Sequence, residues 1–368
     1  MKVVIIGAGI VGASTAYHLS KKGVDVIIVD RMEPGRATDA AAGIICPWLS
    51  QRRNKAWYAL AKGGAAYYPD LIKQLEADGE TETGYKRVGA ISLHTDEFKL
   101  EKMMERARKR REDAPEIGEI RLLDNEETKS LFPMLSDSFR SVYVEGAARV
   151  NGKALREALL KSARKSGTEF INGSAELYKE HDIVRVVVNG KQLDADQIIV
   201  TAGAWAGELL TPLVKFKVKG QKAQIIHLQT ENLNTGEWPV VMPPNDQYIL
   251  GFEDGRIIAG ATHEDDCEFD LRVTAGGMNE VLQKALGTAP GLEKAEFIEM
   301  RVGYRPFTPD FLPVVGHLPA YRNVYVANGL GASGLTVGPY LGRQLSKLVL
   351  GEAPDLDLRP YDVKGAID

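Results

Sequence analysis

The 368-residue chain contains very little cysteine: only Cys46 and Cys267, far apart in the sequence. Two distant thiols cannot build a disulfide framework, and they do not supply the paired-thiol spacing of a structural zinc site. Such scarcity is typical of proteins from a reducing compartment. We therefore expect a cytoplasmic protein without a disulfide scaffold.

An excess of charge of one sign and long apolar runs are also missing. The 46 basic residues nearly balance the 50 acidic ones, so no overall field attracts nucleic acid or an anionic membrane. The apolar start from Met1 to Val11 is broken by Gly7 and Gly9 and has no basic leader, so it predicts a strand rather than a signal peptide or a membrane span. We expect a small-molecule substrate, no nucleic acid and no transmembrane segment; the oligomeric state stays open.

The remaining composition is that of a globular protein, with 44% hydrophobic and 26% charged residues. The length suggests two domains. At the start of the chain, the β-rich run Lys2 to Ile6, the helical run Gly12 to Lys22 and the β-rich run Val24 to Asp30 indicate a βαβ unit. The chain therefore begins as an α/β fold.

Further segments extend this pattern. Lys55 to Ala77 predicts helices interrupted at Gly63-Gly64 and at Pro69, and a charged helix is expected over Phe98 to Arg111. A helix over Lys153 to Gly167 and strands at Glu169 to Ala175, Ile183 to Val188 and Gln197 to Thr201 look like a second α/β segment. Val214 to Phe297 predicts a mostly antiparallel sheet, with strands at Ala223 to Leu228, Gln247 to Phe252 and Arg256 to Ala261. The chain ends with a strand at Val324 to Ala327 and a helix at Leu335 to Leu350.

The turn between the first strand and helix has the pattern of a dinucleotide-binding loop. In Gly7-Ala8-Gly9-Ile10-Val11-Gly12, the first glycine permits a tight turn, the second allows backbone to approach a pyrophosphate, and the third allows close packing of helix on strand. The helix N-terminus supplies unpaired N–H groups for the anion. Asp30, at the end of the second strand, is placed to bind a ribose diol. A simple glycine-rich turn with a surface acid is the alternative.

A second glycine cluster, from Gly329 to Gly334, again follows a strand and precedes a helix. Two helix N-termini favour a long cofactor, because one can hold the pyrophosphate while the other faces the flavin edge that becomes anionic on reduction. The first turn alone fits NAD as well as FAD, and the second cluster could be an ordinary helix entry.

Together these segments resemble the D-amino-acid oxidase superfamily, in particular its branch of glycine oxidases, sarcosine oxidases and D-amino-acid dehydrogenases of the small-subunit type. The resemblance covers nearly the whole chain and rests on five segments: Val3 to Gly12 with Asp30-Arg31; Arg36 to Gly43; Val200 to Trp205; Gly303 to Pro306 with Thr308 to Asp310; and Asn328 to Pro339.

The resemblance implies a discontinuous two-domain flavoprotein. Its Rossmann-like FAD-binding domain would comprise residues 1–85, 145–213 and 298–368, and a mostly antiparallel substrate-binding domain would comprise residues 86–144 and 214–297. Small residues after the second strand would lie against the flavin, Arg305 would hold the substrate carboxylate, and Tyr248 would assist it. The full set expected at the cofactor is Gly7, Ala8, Gly9, Ile10, Val11, Gly12, Asp30, Arg31, Arg36, Thr38, Ala41, Ala42, Gly43, Ile44, Ala175, Thr201, Ala202, Gly203, Trp205, Arg305, Gly329, Gly331, Ala332, Ser333, Gly334, Leu335 and Thr336.

The chain departs from the family pattern at two positions. Monomeric sarcosine oxidases attach FAD through a cysteine before the Thr-Pro-Asp segment, where this chain has Gly303, so we expect FAD to be bound non-covalently. They also place a lysine above the flavin, and in this chain we expect Ile258 at that place. A cation near the flavin promotes reaction with oxygen, so oxygen and an electron carrier or quinone both remain as acceptors.

The expected activity is oxidation of the carbon–nitrogen bond of a glycine, sarcosine or D-amino acid type of substrate. Hydride transfer to flavin N5 would give an imine that water hydrolyses, and no protein base is apparent. The alternatives are an interdomain ion pair for Arg305, core packing for Tyr248, and a role of the whole chain as a non-catalytic FAD-binding subunit. The run His263 to Cys267 does not have the spacing of a metal site, so we expect no metal.

Overall fold

A computed structural model of the protein describes residues 1–231, 233–265 and 267–368. Its strands are β1 (Lys2–Ile6), β2 (Asp25–Asp30), β3 (Ile44–Ile45), β4 (Lys86–Arg87), β5 (Ala90–His94), β6 (Ile120–Leu123), β7 (Arg140–Val144), β8 (Ala148–Arg149), β9 (Glu169–Asn172), β10 (Ala175–Glu180), β11 (Ile183–Val188), β12 (Lys191–Leu193), β13 (Gln197–Val200), β14 (Lys219–Gln229), β15 (Val240–Met242), β16 (Tyr248–Gly251), β17 (Arg256–Gly260), β18 (Glu296–Phe307), β19 (Val314–His317) and β20 (Val324–Asn328). Its α-helices are α1 (Ile10–Lys21), α2 (Ala37–Ala40), α3 (Lys55–Ala77), α4 (Glu97–Arg111), α5 (Asn125–Leu131), α6 (Gly152–Lys165), α7 (Ala206–Leu210), α8 (Ala275–Thr288) and α9 (Gly334–Val349).

A six-stranded sheet holds the first and last parts of the chain together. Its order is β19-β20-β13-β1-β2-β9, and all neighbours are parallel except β19 and β20. The central strand β1 is buried on both faces, as its unbroken apolar sequence predicts. Helices α6 and α9 pack against α1, which crosses from β1 to β2. The predicted βαβ unit is confirmed.

The eight-stranded sheet has the order β18-β14-β17-β16-β15-β5-β7-β6. Its pairs are antiparallel apart from β15 with β5, so the mostly antiparallel sheet expected within residues 214–297 is confirmed. Strand β14 lies between β17 and β18, and α8 packs against it. Strand β18, which comes last in the chain among the strands of this sheet, spans residue 298, where we expected a domain boundary. The division into domains stays a prediction.

Two predictions about local structure were wrong. The segment Lys55 to Ala77 is one continuous helix, because Gly63 and Gly64 do not break it but let it approach α9. A Cβ on Gly64 would lie 2.1 Å from the carbonyl oxygen of Thr336. The strand expected over Glu169 to Ala175 ends at Asn172, because the next residue, Gly173, turns and donates its N–H to the Asp30 carbonyl.

Two sheets of three strands complete the fold. Strands β3, β8 and β4 form one of them, and β10, β11 and β12 form the other. The second α/β segment that we expected from Lys153 to Thr201 is confirmed for α6, β9 and β13, because both strands join the mostly parallel six-stranded sheet, whereas β11 belongs to the small antiparallel sheet. None of the helices in the described residues combines the length and apolar character needed to cross a bilayer. The mixed parallel and antiparallel architecture confirms the predicted α/β class, and it leaves a cavity between the six-stranded and eight-stranded sheets.

Candidate active site

A cavity of about 720 Å³ is lined by residues from both large sheets. Its volume falls in the range of roughly 300 to 1,000 Å³ that is usual for ligand sites. Most of the residues expected at the cofactor or substrate line it: Gly7, Gly9, Ile10, Val11, Asp30, Arg31, Arg36, Thr38, Ala41, Ala42, Gly43, Ile44, Ala175, Thr201, Ala202, Gly203, Trp205, Tyr248, Arg305, Gly331, Ala332, Gly334, Leu335 and Thr336. Ala8, Gly12, Gly329 and Ser333 lie outside this lining.

The turn from β1 to α1 supplies one wall. Gly7 has a φ of +105°, and a Cβ there would lie 2.5 Å from the carbonyl oxygen of Thr201 on the neighbouring β13 loop. A Cβ on Gly12 would lie 1.9 Å from the Gly7 carbonyl oxygen, so Gly12 serves the packing of helix on turn and not the cavity. The N-cap residue of the helix, Gly9, has no side chain, and Thr38 accepts only the N–H of Ile10, so the next N–H groups of the first turn are left to face an anion.

Asp30 fixes this turn from the end of β2. One carboxylate oxygen accepts the Ala8 N–H at 2.6 Å, and the other accepts the Met32 N–H at 2.6 Å and the Arg36 guanidinium at 2.8 Å. The side chains of Asp30 and Arg36 are both about nine-tenths buried. Ala8 is therefore held by Asp30 rather than exposed to the cavity, and Asp30 has a structural task in addition to the ribose contact that we predicted.

The segment after β2 passes along the cavity. It includes the short helix α2, the small residues Ala41, Ala42 and Gly43, and strand β3. The Thr38 hydroxyl accepts the N–H of Ile10 at 3.1 Å and so ties this segment to the N-terminus of α1. Small side chains leave room for a flat group against the backbone.

Only some residues of the second glycine cluster, Gly329 to Gly334, line the cavity. Gly331, Ala332 and Gly334 line it, whereas Gly329 lies against Thr308, and the Ser333 hydroxyl accepts the indole N–H of Trp57 at 2.9 Å. Helix α9 begins at Gly334, and no side chain among the described residues caps it. A second helix N-terminus therefore faces the same cavity as α1.

Arg305 and Tyr248 lie together at the end of the cavity formed by the eight-stranded sheet. The Arg305 guanidinium donates to the Gln221 side-chain oxygen at 3.3 Å. Within the described ranges, no carboxylate lies within 4.0 Å of it, so the interdomain ion pair considered above is not observed. Burial raises the pKa of Tyr248, and the adjacent Arg305 partly opposes that effect, so the phenol stays protonated.

Asp246 and His263 also line this end, and neither was predicted from the sequence to belong to the site. His263 was considered only as part of the metal-like run His263 to Cys267, of which Asp266 lies outside the described residues. Among the residues that the structure does describe, no group of three or more His, Cys, Asp or Glu is arranged to hold a metal. The sequence did offer one indication of their place: Asp246 comes just before the strand that begins at Tyr248, and His263 comes just after the next strand.

Ile258, which we expected in place of the flavin-side lysine of sarcosine oxidases, does not lie at the cavity. It is 5% exposed, packs in the core, and is absent from the lining within the described ranges. The placement of Ile258 beside the flavin was therefore wrong, and this residue carries no information about the reaction with oxygen. Gly303 does line the cavity, against α2.

The arrangement suits a long ligand with an anionic middle. Two helix N-termini, Asp30 and a run of small residues surround one cavity, and the guanidinium of Arg305 lies at its other end. These features fit FAD, whose diphosphate, ribose and flat flavin require those groups.

Comparisons with known proteins agree with this geometry. A family model named DAO and described as "FAD dependent oxidoreductase" matches residues 2–348. The uncharacterized oxidoreductase YurR of Bacillus subtilis (strain 168) is 64% identical over 99% of both chains. The crystal structure of iminodiacetate oxidase from Chelativorans sp. BNC1 is similar with a TM-score of 0.96, 46% identity and 98% of both chains covered. That of glycine oxidase from Geobacillus kaustophilus has a TM-score of 0.88 at 26% identity, over 98% of this chain and 97% of that one.

Proposed function

This chain belongs to the DAO family of FAD-dependent oxidoreductases, and we propose that it oxidises the carbon–nitrogen bond of a small amino or imino acid whose carboxylate binds Arg305. The observation that carries the proposal is the state of Arg305. Its side chain is partly buried in the cavity wall, and Gln221 and Tyr248, the side chains that it contacts there, are both neutral. A guanidinium fork in such a place is complementary to a planar carboxylate.

Tyr248 adds orientation to this anchor. It lies beside Arg305, and a protonated phenol can donate to a second carboxylate oxygen. Two contacts at one end of the substrate fix the direction of its Cα–H bond, and such positioning supplies much of the rate. When bound, FAD supplies the acceptor for the hydride.

The residues proposed to hold FAD are those of the two glycine clusters and the loops between them. The N-termini of α1 and α9 would bind anionic groups, Asp30 a ribose hydroxyl, and Ala41 to Gly43 the flat face of the ring system. Because Gly303 stands where some relatives have the attaching cysteine, we propose non-covalent binding.

The 46% identity to iminodiacetate oxidase makes N-substituted glycines a second candidate substrate class beside primary amino acids. Oxygen is the acceptor that we propose, since the similar proteins with a named activity include oxidases. Oxygen consumption with substrate tests this choice, and bleaching without oxygen consumption would favour a carrier.

The decisive experiment is anaerobic mixing of the purified holoprotein with glycine, sarcosine, iminodiacetate, D-alanine and D-proline while flavin absorbance is recorded. We expect at least one to bleach the flavin rapidly. Methylamine and dimethylamine are matched controls, because they offer the same amine without a carboxylate, and they should bleach it far more slowly. Equal bleaching by both sets, or none by the carboxylated amines, would refute the proposal.

A further inference from the structure

Asp246 and His263 lie close together beyond the ends of two neighbouring strands of the eight-stranded sheet, although 17 positions separate them in sequence. Strands β16 and β17 are antiparallel neighbours, and Tyr248 pairs with Gly260. Asp246 precedes the first of these residues and His263 follows the second, so both side chains reach the cavity end that contains Arg305. Topology therefore puts an acid and an imidazole beside the proposed carboxylate anchor.

The two side chains differ in charge. His263 Nδ1 lies 3.6 Å from a carboxylate oxygen of Asp246, and the other oxygen accepts a hydrogen bond from the Lys284 ammonium at 2.8 Å. Burial tends to raise the pKa of Asp246, but the bond from Lys284 outweighs it and the pKa is lowered, so Asp246 is a carboxylate. Burial and then Arg305 lower the pKa of His263, so its imidazole is neutral at neutral pH.

At 3.6 Å the contact is one of charge and not a hydrogen bond, and a carboxylate on that side favours the tautomer with the proton on Nδ1, which leaves Nε2 as an acceptor. We infer that Nε2 of His263 receives a proton from the substrate's ammonium group, with Asp246 as the positioning residue behind it. This inference rests on the proposed function. Among the described residues lining this end, the cation Arg305 and the anion Asp246 match the opposite charges of a zwitterionic amino acid.

The proton transfer is required by the chemistry of the reaction. A hydride can leave Cα only if the amine nitrogen provides its lone pair to form the carbon–nitrogen double bond, and an ammonium has no lone pair. One N–H bond of the substrate breaks, one N–H bond forms at Nε2, and no electron is gained or lost by the protein. The resulting imidazolium is stabilised by the adjacent Asp246 carboxylate.

The substrate group beside His263 could instead be a second carboxylate, but this anion would lie next to the negative Asp246 and would be repelled by it. The N-carboxymethyl group of an N-substituted glycine would therefore have to point away from His263 and Asp246. The charged groups that influence His263 are Arg305 on β18, Asp246 just before β16, and Lys284 and Glu280 on α8. Its other titratable neighbours are Tyr248 on β16 and, along the chain, Glu264 and Asp265; the Asp265 carboxylate accepts a hydrogen bond from Gln221 at 2.9 Å.

The test is the pH dependence of anaerobic flavin bleaching in His263→Gln, with the best substrate of the wild type. Glutamine can accept a hydrogen bond but cannot take the proton. Because general-base catalysis contributes roughly 100- to 10,000-fold, we expect a loss of that size at pH 7 that diminishes as alkaline pH supplies the free amine. Asp246→Asn should show a smaller loss with the same alkaline recovery.

A control variant separates this role from a structural one. His317→Gln changes an exposed histidine at the end of β19, outside the cavity lining. It should keep the wild-type pH profile. Methoxyacetate, a carboxylate without an N–H group, should perturb the flavin spectrum equally in wild type and His263→Gln, because its carboxylate uses Arg305 and Tyr248 and not His263.

The outcomes are distinguishable. A His263→Gln variant with the wild-type rate and pH profile, or one whose loss persists unchanged at alkaline pH while methoxyacetate still binds, would overturn the inference and leave the proposed function intact. If no carboxylated amine bleaches the wild-type flavin, the proposed function fails before the variant is considered.

Discussion

Replacing Arg305 by leucine should weaken the transition state for carboxylated amines without unfolding the protein. Truncating one partner of a desolvated charge pair costs about 2 to 5 kcal/mol. Because Arg305 is only partly buried, we expect the lower part of that range, about 2 to 3 kcal/mol, which corresponds to a loss of about 30- to 150-fold in kcat/KM. Lysine should restore little, because it lacks the bidentate fork.

Steady-state turnover, flavin content and Tm of Arg305→Leu should be measured together. The flavin and Tm should stay close to the wild type, because Gln221 and Tyr248, the side chains that the guanidinium contacts, are neutral. Arg301→Leu on the same strand is the matched control: its guanidinium pairs with Glu299 at 2.6 Å and lies outside the cavity lining. If amines with and without a carboxylate lose activity equally in Arg305→Leu, Arg305 is not the anchor.

Three other predictions follow from named groups. Asp30→Ala should lower both flavin retention and Tm, since the charge-assisted bonds to buried partners are worth roughly 1.5 to 3 kcal/mol each; full occupancy with an unchanged Tm would contradict this. Acid precipitation should release intact FAD because Gly303 offers no attachment; a yellow pellet would disprove it. Burial lowers the pKa of His227 to about 4 and that of His18 to about 3, below the unfolded value of about 6.5. Because only the unfolded histidines take up protons readily, the free energy of unfolding is highest above pH 6.5 and decreases as the pH falls through that value toward 4. Urea unfolding at a series of pH values should show this free energy changing by up to about 1.4 kcal/mol per pH unit for each histidine. His227→Leu should remove one such contribution, and an unchanged pH dependence in this variant would contradict the prediction.

Local patterns determined much of this protein. The βαβ unit, the turn at Gly7 and the antiparallel strands near Tyr248 could be predicted because alternation, apolar runs and glycine requirements act over a few neighbouring residues. The resemblance in five short segments identified the family and its cofactor. Arg305 was singled out in the same way, and the structure shows it in the cavity.

Packing between distant segments decided the rest. The glycines of α3 were read as breaks, although they permit contact with α9, because a sequence does not show which helix lies opposite. Ile258 looked like a flavin neighbour, but the pleat of β17 directs it into the core. Asp246 and His263 acquired a shared place only when antiparallel pairing joined the ends of β16 and β17. Sequence reveals what each residue can do chemically, whereas burial, partner and charge environment depend on segments brought together by the fold.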